Sequence, residues 1–196
     1  MSVRETGSPA RREEIEVKLP CADLAGTRGK ISEAGGRLLA PLHFESNDLF
    51  DNERGSLAAA GCALRLRRTD ATTLLTFKGP ARFESGVKVR PECETGVSDA
   101  SQAEAILAGL GLARRFRYEK RREEWETEGC AIALDETPIG NFVEVEGEPG
   151  AIRRVVSLLG LDFASAIPYT YARLYAERRK EDPALPPDMV FKERNL

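Results

Sequence analysis

EEIEVKLP, residues 13–20, alternates Glu14, Glu16 and Lys18 with Ile15, Val17 and Leu19. A strand turns successive side chains to opposite faces, so this stretch as a strand carries three charges on one side and three aliphatics on the other. The same grammar recurs downstream. ALRLRR (63–68) sets Arg65 and Arg67 against Leu64 and Leu66, and TLLTFKGP (73–80) sets Lys78 against Leu75 and Phe77. In VKVRPECET (87–95), Lys88, Arg90, Glu92 and Glu94 share a face opposite Val87, Val89, Pro91 and Cys93. FRYEKRREEW (116–125) brings Lys120 and Arg122 into phase, AIALDE (131–136) Ala133 and Asp135, and NFVEVEG (141–147) Glu144 and Glu146. A further strand is expected over about 40–51. Proline donates no backbone hydrogen bond, so the strand holding Pro91 is expected at an edge or with a bulge there.

These in-phase positions hold seven acids and eight bases. A face that only meets water also uses Ser, Thr, Asn and Gln, whereas here like charges repeat at i, i+2: Glu14 with Glu16, Glu92 with Glu94, Glu144 with Glu146, Arg65 with Arg67, Lys88 with Arg90, and Lys120 with Arg122. Such neighbours, about 7 Å apart, repel unless opposite charge lies between them. Clustered carboxylates suit a hard divalent cation, and clustered Arg and Lys suit a polyphosphate. About eight antiparallel strands close with room for one small ligand. The expected fold is therefore α+β: an eight-stranded antiparallel β-barrel forming a charged tunnel, its aliphatic faces packed under helices outside.

Helices are expected in ADLAGTRGKISEAGG (22–36), in SDASQAEAILAGLGL (98–112) with Ser98 as N-cap, in EPGAIRRVVSLLGL (148–161), and through Tyr169, Tyr171 and Tyr175, whose stripe reads as packing. His43 reads as a surface or strand-end histidine outside the charged set. Residues 1–12 lack periodicity and read as a flexible leader, 13–175 as the tunnel domain, and 176–196 as a charged, Pro-containing tail.

Composition limits the function classes. With 196 residues, 41% hydrophobic, the chain can bury one sizeable core. Its 29 basic and 32 acidic residues leave a net charge of -3, which gives no electrostatic footprint for nucleic acid or an anionic membrane. Cys21, Cys62, Cys93 and Cys130 are more than 30 residues apart, and there is a single histidine, so the spacing of a thiolate zinc site is missing. Without an apolar span or an h-region, a cytoplasmic protein with reduced thiols is expected.

In order along the chain, E-x-E-x-K at Glu14, Glu16 and Lys18, R-x-R at Arg65 and Arg67, F-K-G-P at 77–80, E-x-E at Glu92 and Glu94, E-K-x-R at 119–122, L-D at 134–135 and G-x-F-x-E-x-E at 140–146 resemble the CYTH superfamily, the triphosphate tunnel metalloenzymes. The likeness runs from about residue 13 to Tyr175, and T-Y-x-R-L at 170–174 resembles the family's C-terminal motif with Thr170 in place of serine. It implies that Glu14, Glu16, Glu144 and Glu146 hold Mg²⁺ or Mn²⁺ with Asp135 and Glu94 near them. It further implies that Lys18, Arg65, Arg67, Lys78, Lys88, Arg90, Lys120 and Arg122 contact a triphosphate, with Lys18, Arg65, Arg67 and Lys78 closest to the chemistry. Leu49 stands where many members carry a tyrosine. The implied activity is divalent-metal-dependent hydrolysis of a phosphoanhydride bond in a nucleoside triphosphate or inorganic tripolyphosphate. The alternatives are a class IV adenylyl cyclase, whose layout the motifs resemble, and a binding module for polyphosphate or nucleotide without turnover. The expected partner is a small-molecule triphosphate, with room for a homodimer and none for nucleic acid or membrane.

Overall fold

The computed structural model describes residues 12–192; the expected leader, apart from Arg12, and residues 193–196 lie outside them. Alternating sequence becomes strand throughout: β1 (Arg12–Pro20), β2 (Arg37–Asp51), β3 (Ala63–Arg68), β4 (Thr73–Lys78), β5 (Arg82–Glu84), β6 (Val87–Gly96), β7 (Ala113–Thr127), β8 (Cys130–Thr137) and β9 (Gly140–Glu146). The helices are α1 (Leu24–Glu33), the single turn α2 (Ser56–Ala59), α3 (Ala100–Gly109), α4 (Pro149–Leu158) and α5 (Tyr171–Glu181). No helix among the described residues is long and apolar enough to cross a membrane.

The strands run in the order β1-β9-β8-β7-β2-β3-β4-β6-β5, each neighbouring pair antiparallel, and β1 also pairs with β6. That last pairing joins eight strands into a ring and leaves β5 as a ninth, added to β6. The sequence reading expected eight. β5 is short, and its hairpin to β6 turns through Ser85 and Gly86, both at positive φ (52° and 83°), as a two-residue type I′ turn requires.

Register decides which side chains meet. On β1, Val17 and Leu19 turn outward into a core with Ile31 of α1 and Ile152, Val155 and Val156 of α4. Leu19, Ile31, Ile152 and Val155 have no exposed surface. Burying each such side chain contributes about 1.5–3 kcal/mol, and this outer layer fixes the phase that turns Glu14, Glu16 and Lys18 inward. The interior of the ring is thus charged and the oily layer lies outside it.

Three local expectations change. Pro91 sits in a strand that is neither edge nor bulged: β6 pairs with β1 through Pro91 and with β4 from Glu92 onward, without register shift. The carbonyl of Pro91 accepts from Gly79 N (2.8 Å), so its N-side faces the gap where β4 has ended and β5 has not begun, and the missing donor costs no ladder bond. Gly79 permits this approach, since a Cβ there would stand 2.7 Å from Pro91 Cγ. At α3 the N-cap is Asp99, whose carboxylate accepts from the backbone N–H of Ser101 and Gln102, rather than Ser98. Residues 176–192, separated in sequence as a tail, continue α5 and then return along β7, where Met189 is fully buried and bridges to Tyr118.

A charged tunnel as the candidate active site

Inside the ring is a cavity of about 570 Å³. Its wall receives Glu14, Glu16 and Lys18 from β1, Arg65 and Arg67 from β3, Lys78 from β4, Lys88, Arg90, Glu92 and Glu94 from β6, Lys120 and Arg122 from β7, and Glu144 and Glu146 from β9. Of the expected site residues only Asp135 lies off this wall.

The acids gather where β1 meets β9. Glu16 stands directly opposite Glu146 and Lys18 opposite Glu144, while on the other side of β1 Glu14 faces Arg90 and Glu16 faces Lys88. In the structure the two signs pair with each other. Lys78 Nζ donates to Glu14 Oε1 (2.6 Å) and lies 2.9 Å from Glu92; Lys18 Nζ lies 3.3 Å from Glu144; Lys88 pairs with Glu16. Burial depresses the Lys88 ammonium, but the Glu16 carboxylate outweighs it and the net shift is upward. Glu14 Oε2 is buried with no hydrogen-bond partner.

Behind the basic wall lies Asp135, fully buried. Its oxygens accept from Arg122 Nε (2.7 Å) and Nη2 (2.6 Å), from Lys120 Nζ (3.2 Å) and from the Tyr171 hydroxyl (2.7 Å). With both oxygens so engaged and no exposed surface, Asp135 orients the cations from behind the cavity wall. Burial and the charges of Asp135 and Glu144 push the Tyr171 hydroxyl well up, so it remains a donor, while burial of Arg122 is outweighed by the same two carboxylates and its guanidinium is held charged. Lys18 Nζ sits 3.7 Å from the centroid of the Tyr171 ring. Tyr171 is therefore part of the site wall, with its ring under Lys18 and its hydroxyl on Asp135, and not packing alone.

Three further residues escaped the sequence reading. Glu45 on β2 is fully buried between Arg67 (3.3 Å) and Lys120 (3.4 Å). Burial raises its carboxyl, yet Lys120, the His43 contact, Arg122 and Arg67 together hold it far below the ordinary range. His43 belongs to this group through Nε2, 3.5 Å from Glu45. Tyr118 lines the cavity and accepts from Arg65 Nη1 (3.4 Å); burial raises its hydroxyl, but Arg65, Lys120 and Arg67 bring it down overall. The signal was phase: Glu45 alternates with Asn47 and Leu49, and Tyr118 with Lys120 and Arg122. Among the described residues, His43, Glu45 and Glu124 bring donor atoms within 4.8 Å of one another, but Arg67 and Lys120 already neutralise Glu45.

Arg90 is held by Gly79 of the G-P turn, whose carbonyl accepts from its Nε (3.1 Å). Arg65 Nη2 donates to Thr76, and Thr76 donates to Glu94 (2.6 Å). Side chains fixed in this way present cations from five strands to one volume, beside the glutamates of β1, β6 and β9. Such a wall can hold a polyvalent anion and a hard cation together.

Compared with protein families, the sequence matches the CYTH domain over residues 12–194. The chain belongs to the CYTH domain family. No curated protein gives a significant match. Among solved structures, a protein from Vibrio parahaemolyticus described as a candidate adenylate cyclase superposes with a TM-score of 0.74 at 19% identity, covering 85% of this chain and 99% of that one. The PH1819 protein from Pyrococcus horikoshii gives 0.69 at 26% identity, with 85% and 99% covered. HpAC1 from Hippeastrum, a candidate adenylyl cyclase described as having a dominant triphosphatase activity, gives 0.62 at 20% identity, with 89% and 98% covered. This CYTH chain shares their fold; its motifs from E-x-E-x-K to G-x-F-x-E-x-E fall on the ring, and T-Y-x-R-L opens α5.

Proposed function

We propose that this CYTH protein is a divalent-metal-dependent triphosphatase. The observation that carries the reading is the pairing of β1 and β9, which sets Glu16 opposite Glu146 on the cavity wall while eight basic side chains border the same space. Like charges directly opposite destabilise a sheet, and a structure that keeps them beside so many cations is suited to a metal and polyphosphate bound together. The residues fit a hard cation: Glu14 Oε2 is buried without a partner, and Glu14, Glu16, Glu144 and Glu146 supply the all-oxygen donor set that Mg²⁺ or Mn²⁺ prefers, with Glu94 across the cavity. When bound, such an ion supplies charge neutralisation on phosphate oxygens.

The protein's own part is positioning and electrostatics, which are most of what phosphoryl transfer needs. Lys18, Lys78 and Lys88 exchange carboxylate partners for phosphate oxygens; Arg65, Arg67, Arg90, Lys120 and Arg122 add further contacts, and Asp135 and Glu45 keep Arg122, Lys120 and Arg67 in place as charge builds on the leaving group. Water attacks the terminal phosphorus; its P–O bond forms as the bridging P–O bond breaks, the chain shortened by one phosphate leaves, and the proton water gives up passes to solvent. The test is a product assay with Mg²⁺ or Mn²⁺ on inorganic tripolyphosphate, ATP and thiamine triphosphate separately. Orthophosphate release supports the reading. Cyclic AMP with pyrophosphate replaces it with a cyclase, in which the ribose hydroxyl attacks the α-phosphorus, and tight binding without turnover replaces it with a binding module.

A further inference from the structure

A second cavity, of about 360 Å³, opens from the tunnel and shares Glu16, Lys18 and Lys88 with it. The rest of its lining is apolar: Phe83, Gly86, Phe163, Ile167 and Pro168 with small alanines between them. Register explains how it joins the charged wall. Phe83 of β5 stands opposite Lys88, Lys88 opposite Glu16, and Glu16 opposite Glu146, so one row across four strands passes from an aromatic ring to the acidic end of the tunnel.

The walls are built rather than incidental. The Phe163 ring lies against Gly86, where a Cβ would come within 2.9 Å of it. Arg153 covers that ring at 4.3 Å and also bonds the Ser85 carbonyl, tying the β5–β6 hairpin to the turn at Phe163–Ser165. Ile167 N donates to the Lys18 carbonyl (2.8 Å) and Lys18 Nζ to the Tyr169 carbonyl (3.3 Å), which fastens the following segment to β1. Yet Phe83 remains 55% exposed. A pre-formed apolar pocket with an uncovered aromatic ring, opening onto polyphosphate-binding lysines, has the chemistry of a stacking site.

We infer that Phe83 and Phe163 are specificity-determining residues that seat the flat aromatic ring of an organic triphosphate whose phosphates enter the tunnel. This rests on the triphosphate reading and adds the substrate class to it. Among the described residues, the only charged groups lining the pocket are those shared with the tunnel, so the occupant is a neutral or delocalised heterocycle joined to the phosphates, and a nucleobase or the thiamine rings have that chemistry.

The test is calorimetric binding in EDTA, which stops metal-dependent turnover, with inorganic tripolyphosphate, ATP and thiamine triphosphate as separate probes. Wild type is compared with Phe83→Ala, Phe83→Trp and Phe163→Leu. Stacking on an aromatic side chain is worth about tenfold or more in affinity. Phe83→Ala and Phe163→Leu are expected to weaken ATP, thiamine triphosphate or both about tenfold while tripolyphosphate stays within about twofold, and Phe83→Trp to restore the loss. Which organic probe responds identifies the ring. Because Phe83 is largely exposed, its replacement leaves the fold as a control for Phe163→Leu. Equal loss for all three probes, or for none, overturns the inference and leaves the triphosphate reading standing. Failure of wild type to bind tripolyphosphate both in EDTA and with Mg²⁺ present overturns that reading, and the inference with it.

Discussion

Glu16 and Glu146 face each other across the β1–β9 ladder, both on the wall of the same cavity. Lys88 compensates Glu16 from the opposite side, and a cation bound as proposed would add its charge between the two directly opposed carboxylates. Mg²⁺ or Mn²⁺ at a hundred times its Kd should therefore add about 2.7 kcal/mol of stability, a rise in Tm of about 5–10 °C for a chain of this size. Glu16→Gln is expected to lose most of that rise while keeping the cation-free Tm within a few degrees, and Glu16→Ala to lose metal-dependent turnover with the fold intact. Differential scanning calorimetry with and without Mg²⁺ reads the first effect; an equal rise in Glu16→Gln removes this carboxylate from the cation site.

Asp135 makes the opposite prediction. It compensates Arg122 and Lys120 from behind the wall, with no exposed surface, and among the described residues is the one carboxylate that pairs with both. Removing one partner of a buried pair costs about 3–5 kcal/mol because the other charge is left uncompensated. Asp135→Ala is expected to lower Tm by about 6–20 °C without metal present, whereas Glu14→Gln, at a position that leaves one oxygen without a partner, should change the metal response and leave the cation-free Tm close to wild type. Thermal melts of both variants separate an anchor from a ligand.

The ring and its polarity were legible because the alternation is local. Period two in residues 14–19, 63–68, 87–94 and 141–146 fixes which side chains share a face, and like charges on one face require an enclosed counter-charge. What the alternation could not give is depth along that face. Asp135 has the inward phase, but Tyr171 arrives from α5, 36 positions later, and closes over it; nothing local announces that contact. Glu45 and Tyr118 were in phase too, yet the first stands among Phe44 and Ser46 and the second is an aromatic among charges, so neither resembles its neighbours in type. Pro91 misled for a similar reason: the gap between β4 and β5 that tolerates it is a property of two other strands. Leu49, where many members carry a tyrosine, lines the cavity, and the tyrosine that meets Lys18 here is Tyr171.

His43 and Glu45 give a pH signature. The Glu45 contact raises the His43 pKa above its ordinary 6.5, against a smaller effect of partial burial. A raised folded-state pKa stabilises the protein fully below about 6.5, and the contribution disappears as pH rises through the folded value. His43→Gln should therefore be destabilised relative to wild type at pH 5.5 and match it at pH 9. Glu45 runs the other way: its folded pKa is depressed, so its contribution is present above about 4.5 and is lost only on acidification. Urea titrations at several pH values test both, and a His43→Gln deficit that grows toward pH 9 would refute the assignment.

Tyr171 divides into two separable halves. Its hydroxyl serves Asp135 and its ring lies beneath Lys18. Tyr171→Phe removes only the hydroxyl; a hydrogen bond to a charged group is worth about 1.5–3 kcal/mol, so stability should fall by that order while KM for tripolyphosphate moves little. Tyr171→Leu also removes the ring, and a desolvated cation–π contact is worth about 2 kcal/mol. Lys18 then swings more freely between Glu144 and the cavity, and KM should rise well beyond the Phe variant, with Tm a further step lower. Steady-state kinetics beside thermal melts distinguish the two, since a ring that served only to pack would lower Tm further in Tyr171→Leu and leave KM where Tyr171→Phe left it.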